Sequence, residues 1–270
     1  MESKSVGIMV PGVAKGSSAF LLNLVKIQSS IFEKTHIIGR DTHIIRREIE
    51  DSNCANTYIH SIIHKDSKNV LGRTVKYLLL QVFMSYKIKR LSSDVNTWIF
   101  FLGGEALLLP IITAKLLDKK VIILLAGSIE REAEYRSDIC YKLLGFFKKI
   151  CCTLSTSIVV YSKSLIPFFN VEKYRHKILI AHRHFLDFNT FTVTTPLPDR
   201  PPLIGYIGRL SGEKGVQHFA QALPAILSDR QDLRVLIGGD GPLKEAVEAS
   251  LQEGGVTARV DLPGWISHDD

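Results

Sequence analysis

The stretch LIGYIGRLSGEKGVQHFAQAL, residues 203–223, decides how the chain reads. An apolar run from Leu203 to Ile207 breaks at Gly208-Arg209, crosses a polar loop to Lys214-Gly215, and resumes with apolar residues at helical spacing. That is strand, loop and helix, the unit from which parallel sheets are assembled. In an open α/β sheet, ligands bind beyond the carboxyl ends of the strands, and the next helix aims its N-terminus at them. The loop therefore sets two cations and a flexible backbone at a binding position. A second unit, LRVLIGGDGPLKEAVEASL at 233–251, repeats strand, glycine turn and helix, and VDLPGW at 260–265 supplies a further strand.

Upstream, strands are expected at Val6–Val10, Thr35–Ile38, Thr97–Leu102, Lys120–Leu125, Ser157–Tyr161 and Lys177–Ala181. Helices are expected at Ala19–Ile31, Val70–Ser92, Glu105–Leu117, Glu130–Leu154 and Ser164–Phe169. Residues 41–69 lack a sustained period and read as loop with short helices or strands. Alternation of this kind predicts an α/β fold, a mostly parallel sheet with helices on both faces. TVTTPLPDRPP at 192–202 marks a linker, so the domains are expected at 1–197 and 198–270.

The chain has 270 residues, enough for two domains of ordinary size. Its charge is uneven. Residues 1–197 hold 27 Lys and Arg against 16 Asp and Glu, a balance of +11, whereas 198–270 hold 7 against 11, a balance of −4. Different partners for the two parts are expected. Arg73, Lys76, Lys87, Lys89 and Arg90 within 65–90, and Lys142, Lys148 and Lys149 beside Phe146 and Phe147, mix cations with apolar groups. Such a surface reads either as peripheral contact with an anionic membrane or as solvated helix faces.

Cys54, Cys140, Cys151 and Cys152 lack CxxC spacing and read as thiols of a reducing cytoplasm. No secretory leader is recognisable at the start, and Gly103, Gly104, Glu105 and Pro110 interrupt the most apolar stretch. The expected location is cytoplasmic, with peripheral attachment at the inner face of a membrane left as an open alternative. Neither His60 with His64 nor His182 with His184 has the further ligands of a closed zinc site, so no metal is expected.

Arg209 and Lys214 are the leading site candidates. A planar guanidinium and a point-charge ammonium can meet a diphosphate from two sides, with a helix N-terminus adding donors. The same residues also read as a surface cation and a solvated turn. Gly208 and Gly215 flank them, and Gly239 and Gly241 form the next turn. That turn is no dinucleotide fingerprint, because Lys244 stands where a third glycine would. After the first strand, Gly12 and Gly16 would let the backbone approach a ligand, or make a plain strand-to-helix turn.

GYIGRL at 205–210, EKGV at 213–216, LIGGDGPL at 236–243 and VDLPGW at 260–265 together resemble family 4 glycosyltransferases of the GT-B fold. The resemblance is dense over 203–270 and looser upstream. It implies two Rossmann-like domains, the first facing the acceptor and the second binding a nucleotide sugar. It also implies sugar transfer with retention, without cofactor or metal, in polysaccharide biosynthesis. In the family the positions of Arg209 and Lys214 hold the donor diphosphate, and the glycine turn of Gly239 and Gly241 lies beside the nucleotide. Gly12 and Gly16 depart from the adjacent glycines common there. Many relatives place an acceptor-site histidine near the position of Gly127-Ser128-Ile129-Glu130; here Glu130 is the acceptor-side candidate, or an exposed glutamate at a helix start.

The family's paired glutamates, one near the transferred sugar and one on the ribose, lie beyond the segment matching Ser267–Asp270. A truncated chain with an incomplete second domain is therefore expected, and no catalytic residue is assigned. The resemblance implies a nucleotide sugar, with UDP and GDP both open, and a glycan or lipid-linked acceptor as partners. Rival readings are a noncatalytic or membrane-associated fragment of a glycosyltransferase, a nucleotide-sugar epimerase, and a nucleic-acid binder. The last has no RNP-like or helix-turn-helix signature behind it.

Overall fold

The structure, a computed structural model, describes residues 4–13, 18–40, 42–51, 54–62, 70–127, 139–181 and 192–266. Gly16, Ser128, Glu130, His64, His182, His184 and the 65–69 part of the basic stretch lie outside the described residues, as does the start of the helix expected from Glu130. The chain forms two compact units, Met1–His184 and Phe185–Asp270.

Among the described residues the first unit has seven strands: β1 (Ser5–Val10), β2 (Lys34–Arg40), β3 (Thr57–Ile62), β4 (Val95–Phe100), β5 (Lys120–Leu124), β6 (Ser157–Val160) and β7 (Ile178–Ile180). They pair in parallel throughout, in the order β3-β2-β1-β4-β5-β6-β7. Its α-helices are α1 (Ser18–Ile31), α2 (Arg46–Asp51), α3 (Val70–Arg90), α4 (Leu108–Leu116), α5 (Ile139–Leu154) and α6 (Leu165–Phe168).

All six residues of β1 are buried, as a central strand covered on both faces requires. Ile8, Val10 and Ile37 pack with α1 through Leu21 and Val25, with the 3₁₀ turn Thr42–Ile45 through Ile45, and with α2 through Ile49. The opposite face, with Met9, Ile38, Trp98 and Phe100, packs on α3, α4 and α5 through Met84, Ile88, Ile111 and Cys151. Gly7 is glycine because the Trp98 ring lies where its Cβ would stand.

Two expectations change in detail. Within residues 41–69, TYIHSI becomes a full edge strand, β3, in register with β2 from Thr35↔Thr57 to Arg40↔Ile62. Its residues do not alternate apolar with polar, so pairing with β2 sustains it rather than a buried face of its own. The helix expected over Glu105–Leu117 splits into a 3₁₀ turn, Gly104–Ala106, and α4. The break falls at Leu107, whose φ of −77 and ψ of +73 are not helical, and Pro110 is tolerated because it falls in the first turn of α4.

The second unit is a parallel sheet of β8 (Leu203–Ile207), β9 (Arg234–Gly238) and β10 (Val260–Gly264), ordered β10-β9-β8. Helices α7 (Val216–Asp229) and α8 (Lys244–Glu253) bury Val216, Leu223, Leu227, Val247 and Leu251 against Val235 and Ile237. The architecture is α/β with two parallel sheets, three-stranded in the second unit among the described residues.

A histidine pair stands near the amino end of the first sheet. His36 Nδ1 lies 3.2 Å from His60 Nε2, and His36 Nε2 lies 3.4 Å from Asp94 Oδ2. Asp94 Oδ1 accepts from Ser5 Oγ at 3.0 Å, and Lys34 Nζ is 3.4 Å from Oδ2. Burial raises the Asp94 carboxyl, but bonds from Ser5 and Lys34 outweigh it and bring the group below its ordinary range. Burial lowers His36 despite Asp94. For His60, burial, then Lys87, then His36 push the value down to about 4. The unfolded chain takes up the His60 proton near 6.5 and the folded chain only near 4, so between these values the unfolded state binds more protons. The stability contributed by neutral His60 is present above pH 6.5 and declines as pH falls toward 4. Urea midpoints across that range are expected to drop with pH, and His60→Gln is expected to flatten the decline.

Candidate functional site

The loop after β8 is positioned by its own backbone. The Gly208 N–H donates to the Gly238 carbonyl at 2.9 Å, and the Leu210 N–H to the Asp240 carbonyl at 3.0 Å. The Leu243 N–H returns a bond to the Leu210 carbonyl, also 3.0 Å. Tyr206 Oη donates to the Arg209 carbonyl at 3.1 Å, and its ring packs on Phe219 of α7. Leu210 is fully buried. Arg209 thus has an anchored backbone on both sides and an exposed side chain at the carboxyl end of β8.

Residues Gly212–Lys214 form a 3₁₀ turn closed by Lys214 N–H to the Ser211 carbonyl and Gly215 N–H to the Gly212 carbonyl, each 3.1 Å. Gly215, at φ +69, turns the chain into α7 and serves as its N-cap. No side chain caps this 14-residue helix and no acidic residue stands in its first turn. The helix therefore presents unsatisfied N–H donors and the positive end of its dipole beside Lys214.

Glu213 is the loop's own carboxylate. Ser211 Oγ donates to its Oε1 at 2.7 Å, and this bond, with a backbone bond second, holds the carboxyl below its ordinary range. Arg209 Nη1 reaches Glu213 Oε1 only at 4.0 Å, with both side chains largely exposed. A solvated pair at that distance contributes close to nothing, so the guanidinium remains available to an anion. Among the described residues Lys214 has no ion-pair partner.

The glycines divide by cause. Gly239, at φ +135, has the Gly208 carbonyl where a Cβ would lie, and the same holds for Gly241 against the Leu210 carbonyl. Both let the β9 loop lie directly on the Arg209 loop, which is their contribution to the site. Gly208 has only ordinary contact with the Tyr206 ring, and Gly215 has open space but a backbone that favours glycine.

In the first unit the strand order reverses between β1 and β4, and ligand crevices of open α/β sheets form beyond the carboxyl ends of such a pair. Gly12 follows β1, and a Cβ there would come within 3.3 Å of the Arg40 guanidinium at the end of β2. Gly127 follows β5 in open space. Sequence reasoning missed Arg40 and the turn after β4, where Leu102 has φ +49 and Gly103 φ +91, and where a Cβ on Gly103 would lie 3.2 Å from Pro11. The signal for that turn is Gly103-Gly104 after an apolar run. Among the described residues no three His, Cys, Asp or Glu side chains converge as a metal site requires.

Residues 201–270 match the family model for glycosyl transferases group 1. A curated relative, alpha-D-kanosaminyltransferase of Streptomyces kanamyceticus, is 34% identical over 103 residues, covering 36% of this chain and 27% of the relative. The chain therefore matches about a quarter of that relative's length. Among solved structures, HepE of Anabaena, bound to UDP and glucose, superposes with TM-score 0.67 at 13% identity, over 98% of this chain and 70% of that one. A structure described as a putative UDP-N-acetylglucosamine 2-epimerase of Listeria monocytogenes superposes with TM-score 0.62 at 12% identity, over 100% of this chain and 71% of that one. The fold is of GT-B type, with two Rossmann-like units, and the match to the group 1 glycosyltransferase model lies in the carboxy-terminal unit.

Gly239→Ala or Gly241→Ala is expected to destabilise the second unit by about 1–3 kcal/mol, through strain and overpacking. Gly208→Ala is expected to cost less than about 1 kcal/mol. Urea unfolding of the three variants checks the contrast; equal costs would remove the loop-packing account.

Proposed function

We infer that the protein is a glycosyltransferase that moves a hexose-type sugar from a nucleotide-sugar donor to a glycan or lipid-linked acceptor, with retention of configuration. One observation carries this reading. Two exposed cations, Arg209 and Lys214, flank the uncapped N-terminus of α7 at the carboxyl end of β8, within the segment matching group 1 glycosyltransferases.

When the sugar–phosphate bond breaks, negative charge builds on the departing diphosphate. Arg209 offers a planar pair of donors, Lys214 a mobile positive charge, and the first turn of α7 its amides. Fixed donors aimed at developing charge lower the barrier without reorganising during the step. Tyr206 and the loop anchored by Gly239 and Gly241 hold Arg209 in position, while Gly208 and Gly215 let the loop leave the strand and enter the helix. The acceptor side is assigned to the first unit, with Gly12, Gly16, Gly127, Ser128 and Glu130 as its candidate loops. Residues 65–90 and 142–149 would provide peripheral contact with the inner face of a membrane. No metal or cofactor is required by this reading, and no catalytic residue is assigned within the 270 residues.

A second reading, a nucleotide-sugar epimerase, is favoured by the likeness to the 2-epimerase structure. It uses the same diphosphate grip without an acceptor, and isomerised nucleotide sugar formed with no acceptor present would select it.

Calorimetry with UDP and GDP tests the shared grip. Arg209→Ala and Lys214→Ala should each weaken binding by about tenfold or more, the loss of a charge-assisted hydrogen bond. Binding unchanged in both variants would refute the assignment.

A further inference from the structure

The outer side of α3 is apolar. Leu80, Met84 and Ile88 face the sheet and are buried, yet the opposite side carries Val75, Leu78, Leu79, Val82 and Tyr86, all exposed. Leu79 is 60% exposed and Val82 56%. A surface helix ordinarily turns polar residues outward; one that is apolar on both sides needs a second apolar phase. None of the described helices is long and apolar enough to cross a membrane, so this helix would lie on such a phase.

The neighbouring helices extend the surface. α4 packs on α3 and exposes Leu109 and Leu116, and α5 packs on α4 and exposes Leu143 and Phe146. None of the three helices contains an acidic residue. α3 carries Arg73, Lys76, Lys87, Lys89 and Arg90, and Lys149 is exposed on α5. Arg90 folds over Tyr86, with Nη1 donating to Tyr86 Oη at 3.0 Å and the guanidinium 5.8 Å from the ring centroid. A cation held against an aromatic ring suits the boundary between headgroups and acyl chains. Lys148 does not belong to this surface, contrary to its place in the expected basic stretch. It is buried, and its Nζ donates to the Phe169 carbonyl at 3.0 Å.

We propose that the outer faces of α3, α4 and α5 form a docking surface for an anionic lipid bilayer, with Val75, Leu78, Leu79, Val82 and Phe146 entering the interface and Lys89 and Arg90 meeting the headgroups. Charge selects this occupant. A second copy of the same face would set cations against cations, whereas anionic lipid supplies both an apolar phase and opposite charge. The proposal rests on the peripheral contact included in the proposed function, and it gives that contact its residues and its lipid.

The test is co-sedimentation of the 270-residue chain with vesicles, in the absence of donor and acceptor. One set is phosphatidylcholine alone and the other an equal mixture of phosphatidylcholine and phosphatidylglycerol. Binding is expected with the mixture and to be weak with phosphatidylcholine. Leu79→Glu with Val82→Glu should reduce it about tenfold or more, as should Lys89→Glu with Arg90→Glu. All four side chains are exposed, so circular dichroism and urea midpoints should stay unchanged and verify folding. UDP and GDP binding of the folded variants should also be unchanged, so failure on vesicles leaves the diphosphate assignment standing, and the reverse. Equal binding to both vesicle types, no binding, or variants that bind as well as the parent would overturn the proposal. So would sedimentation showing a dimer that Leu79→Glu dissolves, since a second copy would then cover the face.

Discussion

The backbone exchange between the loops after β8 and β9 is the constraint on which the candidate site depends. Gly208, Leu210 and Leu243 donate across it, and the Gly238, Asp240 and Leu210 carbonyls accept. Those bonds form only because Gly239 and Gly241 bring one loop onto the carbonyls of the other. Arg209 inherits a fixed backbone from this arrangement while its side chain stays in solvent. A cation on a free loop would lose conformational entropy on meeting an anion; one on an anchored loop has already lost most of it in folding.

The first unit separates stability from exposure differently. Its sheet is sealed on both faces, with Trp98 filling the space over Gly7. Its polar cluster of His36, His60 and Asp94 stands toward the amino ends of the strands, where ligands of parallel sheets are not expected. That placement assigns the cluster to folding rather than to binding. The carboxyl ends of β1 and β4 instead carry the glycine turns, and Arg40 stands beside Gly12 at the carboxyl end of β2. The outward apolar side of α3 belongs to neither role, because it adds nothing to the core it stands on.

Legibility varied with how local the signal was. β1, α1, β8 and the loop to α7 were readable because each is marked by a short run of residues acting on its own backbone. β3 was not, since its residues show no period and its pairing depends on β2. Lys148 reads in sequence as one more surface cation, and only the position of Phe169 shows it turned inward. Gly239 and Gly241 could be identified as a turn, but not as the contact that locates Arg209, for that contact lies in another segment.

By itself the sequence determined the alternation of strands and helices, the glycine-bounded loop that carries Arg209 and Lys214, and the uneven charge of the two parts. These follow from side-chain period, backbone freedom and composition, all local properties. Tertiary structure decided the strand order with its reversal between β1 and β4, the stitching of the two loops, and which side of α3 faces solvent. Each of these depends on which distant residues meet, and a periodic pattern states that a face is apolar without stating what will cover it.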